Sequence, residues 1–183
     1  MRTVLKGCLF MLLLWAPATW ADPASDAIAK FKQASATHAF FNDAFGYAVF
    51  PTIGKGGIGI GGAYGSGKVF RGGVHTGNSK MAQLTFGLQL GGQAYSQIIF
   101  FQNKDAYTEF TSGDFEFGAQ ASAVALTVGA SAGANTKGTT AGAGSAQADN
   151  RYSGGMAIFT MAKGGLMYEA SIGGQGFSFD PID

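Results

Sequence analysis

Residues 46–69 read GYAVFPTIGKGGIGIGGAYGSGKV, and the glycine spacing in this stretch predicts the fold class. Gly57 and Gly59 alternate with Ile58 and Ile60, which is the period of two expected of a β-strand. Glycine on one face of a strand lets another backbone approach closely or lets the strand bend sharply. Because glycine carries an entropic cost in a flat strand, the pattern favours a strongly curved antiparallel sheet or a barrel-like core.

Outward from this stretch, the chain reads as a β-dominated α+β domain. Residues 22–45 predict one amphipathic helix, which Asp22 caps and Gly46 ends. Asn103 predicts the cap of a short internal helix over 104–111. Residues 129–150, rich in Gly, Ala, Ser and Thr, are predicted to form a long loop. Further strands are predicted at 47–50, closed by Pro51, and at 67–75, 86–91, 96–102, 115–131, 156–162, 166–172 and 176–179.

Residues 1–21 have the features of a cleavable signal peptide. A basic start precedes the apolar run 9–15, which is too short to span a bilayer, and small residues lead up to Ala21. A lipobox cysteine follows the apolar run, whereas Cys8 precedes it, so no lipid anchor is expected. We therefore predict cleavage after Ala21, a single mature domain over 22–183 and a periplasmic or secreted location.

Composition restricts the chemistry that the mature chain can perform. The net charge of the whole chain is +1 and only 13% of its residues are charged, which argues against broad electrostatic binding to nucleic acid. Removal of the signal peptide removes Cys8, the single cysteine. Disulfides, thiolate metal sites and a cysteine nucleophile are then excluded.

Several motifs resemble catalytic or nucleotide sites without their full context. Residues 62–68 have P-loop spacing, but Val69 stands where Ser or Thr would hold Mg²⁺, and a strand pattern follows instead of a helix. His38 and His75 are the two histidines and lack metal-site spacing. Residues 114 and 116, an aspartate and a glutamate, are predicted to form an exposed edge pair. No catalytic residues, metal site or cofactor are therefore expected, and the chain is not predicted to be an enzyme.

Blocks of sequence along the chain resemble the SYLF family, which is related to the yeast actin-patch Las17-binding proteins. Residues 46–62 are similar to the opening signature of the family, and later blocks follow in the same order. The resemblance spans about residues 45–179 and implies a lipid-binding module. The blocks are 46–62, 63–69, 86–94, 98–110 and 163–170.

The resemblance and the amphipathic helix together predict the lipid-contact residues. Lys30 and Lys32 border the apolar stripe of the helix, as suits the headgroup region of an anionic bilayer. Lys55, Lys68 and Arg71, in or beside glycine-rich turns, are predicted to contact phosphate headgroups. The expected partner is an anionic phospholipid or membrane surface.

Two other classes of function remain open from the sequence. One is a structural or protein-interaction domain of the cell envelope, which binds a protein partner or self-associates at a sheet edge. The other is an outer-membrane β-barrel, which the signal peptide, alternating strands and aromatic residues also fit.

Overall fold

A computed structural model describes residues 22–87, 92–118, 123–126, 152–163 and 172–182. Within them the chain forms one curled, seven-stranded sheet in the order β4-β7-β2-β1-β3-β6-β5, with three short α-helices. Neighbouring strands are antiparallel except β5 and β6, which are parallel. The predicted β-dominated α+β class with a curved sheet is confirmed. The elements are α1 Pro23–Gln33, α2 His38–Asp43, β1 Gly46–Arg71, β2 Val74–Gly87, β3 Gln93–Phe101, α3 Lys104–Phe110, β4 Phe115–Glu116, β5 Val124–Leu126, β6 Met156–Lys163 and β7 Gln175–Pro181.

Strand β1 belongs to both halves of the sheet because it changes partner along its length. Its first half, residues 46–55, pairs with β3, and its second half, residues 59–71, pairs with β2. The two halves approach each other through glycine: a Cβ placed on Gly67 would lie 2.5 Å from the carbonyl oxygen of Val49. The close backbone approach expected from the glycine spacing is therefore present, and it allows the sheet to curl.

Two apolar cores lie on opposite faces of the sheet. The inner core joins β1, β2, β3, β6 and β7 and is closed by α3, whose Ala106, Tyr107 and Phe110 are buried. The outer core lies between the N-terminal helices and the outer side of β1, β3 and β6. Phe31 of α1 and Phe40 of α2 are its helical members, and Phe31 is fully buried.

The prediction of one continuous helix over 22–45 is wrong, because the segment is broken into α1, a 3₁₀ turn at Ser35–Thr37, and α2. Ala34 has extended backbone angles, and the buried Thr37 donates its hydroxyl hydrogen to the carbonyl oxygens of Phe31 and Ala34. Such side-chain bonds to backbone carbonyls compete with helical ones. The break lets α2 turn so that the Phe40 ring packs on the sheet.

The structure also corrects the prediction that Pro51 closes the first strand. β1 continues through Pro51, and its pairing with β3 shifts register between Phe50 and Ile53. A proline is tolerated at such an irregularity because it lacks the N–H that a regular ladder requires. The Pro51 carbonyl oxygen accepts a hydrogen bond of 2.8 Å from the hydroxyl of Ser96.

The candidate strand at 67–75 is in fact the end of one strand, a turn and the start of the next. Gly72 and Gly73 form the turn with φ angles of +55° and +82°. Positive φ at both central residues is what a two-residue type I′ hairpin turn requires, and glycine adopts it without strain.

The remaining predictions divide into those confirmed and those outside the described residues. The strands predicted at 96–102, 156–162 and 176–179 correspond to β3, β6 and β7. Asn103 caps α3 as predicted, accepting a 3.0 Å hydrogen bond from the Ala106 N–H. Of the region 115–131, the described part is strand at β4 and β5. The predictions for 1–21, 88–91, 129–150 and 166–171 lie outside the described residues.

Candidate functional site

The outer side of the sheet formed by the second half of β1, by β2 and by β7 carries an apolar patch. We call this side of the sheet the open face. Ile60, Tyr64 and Leu84 form the patch and are 66%, 57% and 72% exposed. Gly62 pairs with Leu84. Paired residues point to the same side, and diagonal neighbours lie about 7–8 Å apart, so Leu84 lies diagonally between the other two side chains. Among the described residues of the outer core, none comes from β2 or β7.

The open face becomes basic toward its other end. Ser66 of β1 pairs with the exposed Lys80 of β2, which lies on the same side as the patch. The four residues from Leu84 to Lys80 span about 13 Å along the strand. Beside them runs a groove of about 390 Å³, with Tyr64 and Lys80 among its lining residues together with the exposed Asp114 and Glu116.

Lys68, one of the predicted lipid-contact residues, connects the second half of β1 to the start of α1. Its Nζ donates a hydrogen bond to Asp22 Oδ2 at 2.9 Å, in an ion pair between partly exposed side chains. The bond and the charge of Lys68 lower the pKa of the Asp22 carboxyl, while desolvation opposes them. Lys68 lies within β1, so the expectation that it occupies or adjoins a glycine-rich turn is wrong.

Lys30 and Lys32 lie on the N-terminal helix, as predicted, but in the last turn of α1, because the helix ends at Gln33; both are exposed. They differ in their surroundings. The Lys32 ammonium lies 5.4 Å from the centre of the Phe41 ring and lines a cleft between the helices and the β1–β2 turn. Lys30 is not among the described residues that line this cleft.

Arg71 and Lys55 lie far apart along β1. Arg71 directly precedes the β1–β2 turn, as predicted, and its guanidinium carbon lies 5.8 Å from the centre of the Tyr107 ring. Lys55 pairs with Gln93 at the end of the first half of β1, so it too lies within the strand and not in the predicted turn. The structure thus brings Lys32 and Arg71 near one turn but places Lys55 elsewhere, and the five predicted residues do not form one patch.

A buried polar cluster lies inside the curl. Gln97 and Gln175 are fully buried and bond to each other, with 2.9 Å between Gln97 Nε2 and Gln175 Oε1. The Gln175 amide also donates to the hydroxyl of Tyr95 at 3.1 Å. Burial raises the pKa of Tyr95 to about 12, although the bond from Gln175 opposes this shift. Sequence reasoning missed this cluster, for which Gln97, directly before the apolar run Ile98–Phe101 of strand β3, is the available signal.

The motifs that imitate nucleotide or metal sites have structural roles. The lysine of the P-loop-like spacing lies inside β1, and no helix follows it. His38 Nε2 donates to the Lys32 carbonyl oxygen at 2.9 Å, and His75 Nε2 donates to that of Gly77 at 3.0 Å. Asp114 and Glu116 lie exposed beside and on the edge strand β4, as the sequence predicts.

Sequence reasoning also missed the residues of the open face. Ile60 and Leu84 belong to alternating patterns that predict strands, but the patterns do not say which face of each strand is covered. That depends on where the helices pack, and the helices cover the outer side of β3 and β6 instead.

These observations define the class of protein as a small β-dominated domain with an exposed apolar patch on one face of its sheet. Within the described ranges, no group of three or more His, Cys, Asp or Glu side chains is placed to hold a metal ion. No α-helix in the same ranges is long and apolar enough to cross a bilayer.

Residues 82–181, more than half of the chain, match the sequence profile of the family described as Ysc84, Las17-binding protein actin regulator. The chain therefore belongs to this family, which confirms the SYLF resemblance. It is also similar to "Beta cell expansion factor A" of Aeromonas veronii, with 29% identity over 164 residues. That alignment covers 88% of this chain and 55% of the relative, so the chain spans about half the length of the curated relative it matches.

Proposed function

We propose that this chain is an exported, non-catalytic domain that binds the surface of anionic phospholipid membranes through its open face. The observation that carries the proposal is the exposed apolar patch of Ile60, Tyr64 and Leu84. Family membership supports it, because lipid binding is what the SYLF resemblance implies.

The order of side chains along the open face matches the layers of a bilayer surface. Ile60 and Leu84 are aliphatic, Tyr64 follows, and Lys80 and Lys68 lie beyond it on the same face. Acyl chains accept aliphatic side chains, the membrane interface favours tyrosine, and anionic headgroups attract lysine. The acidic pair beside the groove lies toward the basic end, so we expect the apolar end to enter first, with the face tilted.

The patch is large enough to give measurable binding. Complete burial of one aliphatic side chain contributes about 1.5–3 kcal/mol. Loss of one such contact should therefore weaken membrane binding by about 10- to 100-fold.

Vesicle co-sedimentation with two matched variants tests the face as well as the function. Leu84→Asp places a charge in the patch, whereas Val74→Asp makes the same change at the far end of the hairpin, where Val74 is 66% exposed. We expect the purified protein to bind vesicles containing phosphatidylglycerol, with L84D losing this binding and V74D keeping it.

The outcomes separate the function from the face. If the unsubstituted protein binds neither anionic nor neutral vesicles, lipid binding is wrong. If it binds and V74D rather than L84D abolishes binding, the turn with Arg71 and Lys32 is the contact surface instead. Lys80→Gln should reduce the preference for anionic over neutral vesicles without removing the binding.

A second candidate function is docking of a protein partner, including a second copy of the chain. The groove of about 390 Å³ beside the patch favours it, because Lys80 and the acidic pair Asp114 and Glu116 give the groove both signs of charge. Sedimentation velocity at high protein concentration tests self-association. A monomer at every concentration argues against it, and an oligomer that L84D dissociates supports it.

Export forms part of the proposal and has its own test. The basic start and short apolar run of residues 1–21 support export. Amino-terminal sequencing of protein recovered from the periplasm or medium should begin at Asp22. Retention of the complete chain in the cytoplasm would contradict this part.

A further inference from the structure

A cleft of about 640 Å³ lies between the N-terminal helices and the β1–β2 turn. Its volume is within the range usual for small-ligand sites. Lys32 and Asn42 line it from the helices, Tyr47 from β1, and Gly72 and Gly73 from the turn. The cleft lies about 40 Å along the β1–β2 hairpin from Ile60, so it is remote from the patch.

The cleft contains hydrogen-bond donors that form no hydrogen bond or ion pair with the described residues. The Lys32 ammonium contacts the Phe41 ring and forms no ion pair with the described carboxylates. The side chains of Asn42 and Tyr47, and the N–H of Gly73, likewise have no hydrogen-bond partner among the described residues. Burial raises the pKa of Tyr47, which keeps its hydroxyl a neutral donor.

Several backbone acceptors at the carboxyl end of α1, which would otherwise repel an anion, are already bonded. The carboxyl end of a helix carries partial negative charge because its last carbonyls lack partners. Here Thr37 bonds the carbonyl oxygens of Phe31 and Ala34, and His38 bonds that of Lys32. No carboxylate is among the described residues that line the cleft.

We propose that this cleft binds a phosphate group, held by Lys32, Asn42, Tyr47 and the Gly73 N–H. One cation with several neutral donors and no competing carboxylate suits the charge and the acceptor oxygens of a phosphate. The rings of Phe41 and Tyr47, 5.6 Å apart between centroids, give the organic part of a phosphate ester an apolar wall. The site is independent of the proposed membrane contact on the open face.

Titration of the purified ¹⁵N-labelled protein with inorganic phosphate, followed by NMR, tests the site. Sodium chloride at equal ionic strength is the reference titration. We expect saturable shifts of the Tyr47 and Gly73 amide signals with phosphate and none with chloride.

Matched variants assign the shifts to the cleft. Lys32→Gln should weaken phosphate binding about 10-fold, because it removes a charge-assisted bond, and Tyr47→Phe should weaken it several-fold. Lys30→Gln removes the same charge from the same helical turn and should change the affinity less than 2-fold, as should Leu84→Asp on the open face. Circular dichroism melting checks that each variant is folded.

Three results would overturn the proposal. The first is that chloride shifts the amide signals as much as phosphate does, and the second is that K30Q and K32Q lose equal phosphate affinity. The third is that no amide signal shifts at about 10 mM phosphate, which is ten times a millimolar dissociation constant. Glycerol 3-phosphate and phosphatidylglycerol vesicles then separate a soluble ester from a lipid headgroup. Competition by either one with phosphate supports the site and assigns its source, and competition by neither contradicts a phosphate-ester site.

Discussion

The two outer sides of the curled sheet differ although the same strand, β1, contributes to both. Helices α1 and α2 cover the outer side of β3, of β6 and of the first half of β1. Phe31, Phe100 and Phe159 are buried there. On the open face, formed by β2, β7 and the second half of β1, Ile60 and Leu84 remain exposed. The N-terminal helices therefore cover one side, whereas the described part of the other side carries exposed apolar side chains.

The position of α1 argues against its insertion into a bilayer. The apolar stripe of α1 was a candidate for insertion into a bilayer, but Ala24, Ala27 and Phe31 face the sheet. An inserted α1 would have to leave the outer core and expose it. The open face can contact a membrane without any such rearrangement.

The largest expected difference between the two sides is in their contribution to stability. Phe31→Ala should reduce the free energy of unfolding by about 3–5 kcal/mol, because it leaves a cavity in the outer core. Leu84→Ala should change it by less than about 0.5 kcal/mol. Guanidinium unfolding of both variants measures the difference, and a large loss for L84A would show that the open face is covered in the native protein.

The free energy of unfolding should fall at high pH because of Tyr95, which is buried in the inner core. Because the pKa of Tyr95 rises to about 12 on folding, its proton leaves the unfolded chain first, near pH 10. The associated stability is complete below pH 10 and falls by about 3 kcal/mol as the pH rises to about 12. Unfolding measured against pH should show this loss, which Tyr95→Phe removes.

Tyr64→Phe, on the open face, is the control for this pH dependence. Its side chain is 57% exposed, so this variant should retain the profile of the unsubstituted protein. A profile flattened equally by both changes would contradict the assignment to Tyr95.

The contact between the two halves of β1 should tolerate no side chain at Gly67. A Cβ there would lie 2.5 Å from the Val49 carbonyl oxygen and 2.7 Å from a ring carbon of Phe50. Gly67→Ala should therefore cost about 1–3 kcal/mol by overpacking. A Cβ at Gly54 meets nothing within 4 Å, so Gly54→Ala should not change the stability. Thermal melts in which both variants lose equal stability would refute the close approach.

The smallest effect is expected at the Lys68–Asp22 ion pair, on the border between the two sides. The pKa of Asp22 is lowered on folding, so its stabilising contribution is present above the ordinary value of 3.8 and is lost as the pH falls through the folded value. The stability difference between the unsubstituted protein and Asp22→Asn should shrink over this acidic range and with added salt. A difference that persists at low pH would show that the ion pair is not its source.

Much of the fold could be predicted from local patterns, but the two sides could not be distinguished. The glycine spacing of β1 and the Asn103 cap depend on near neighbours in the chain, and both predictions hold. The break at Thr37 depends on a hydroxyl reaching carbonyls up to six residues away. Lys68 finds Asp22 across 46 residues, a pairing that only the tertiary structure defines. The exposure of Leu84 likewise depends on packing elsewhere in the sheet.

The position of β7 has a consequence for the order in which the domain forms. Gly77 of β2 pairs with Pro181 of β7, so one neighbour of the β1–β2 hairpin lies 104 residues further along the chain. The β1–β2 hairpin can form as soon as its turn exists, since hairpin formation takes microseconds. Its outer edge stays unpaired until β7 has been synthesised, and exposed strand edges promote aggregation. The edge of β2 is therefore exposed in the nascent chain during the interval between the synthesis of β2 and that of β7.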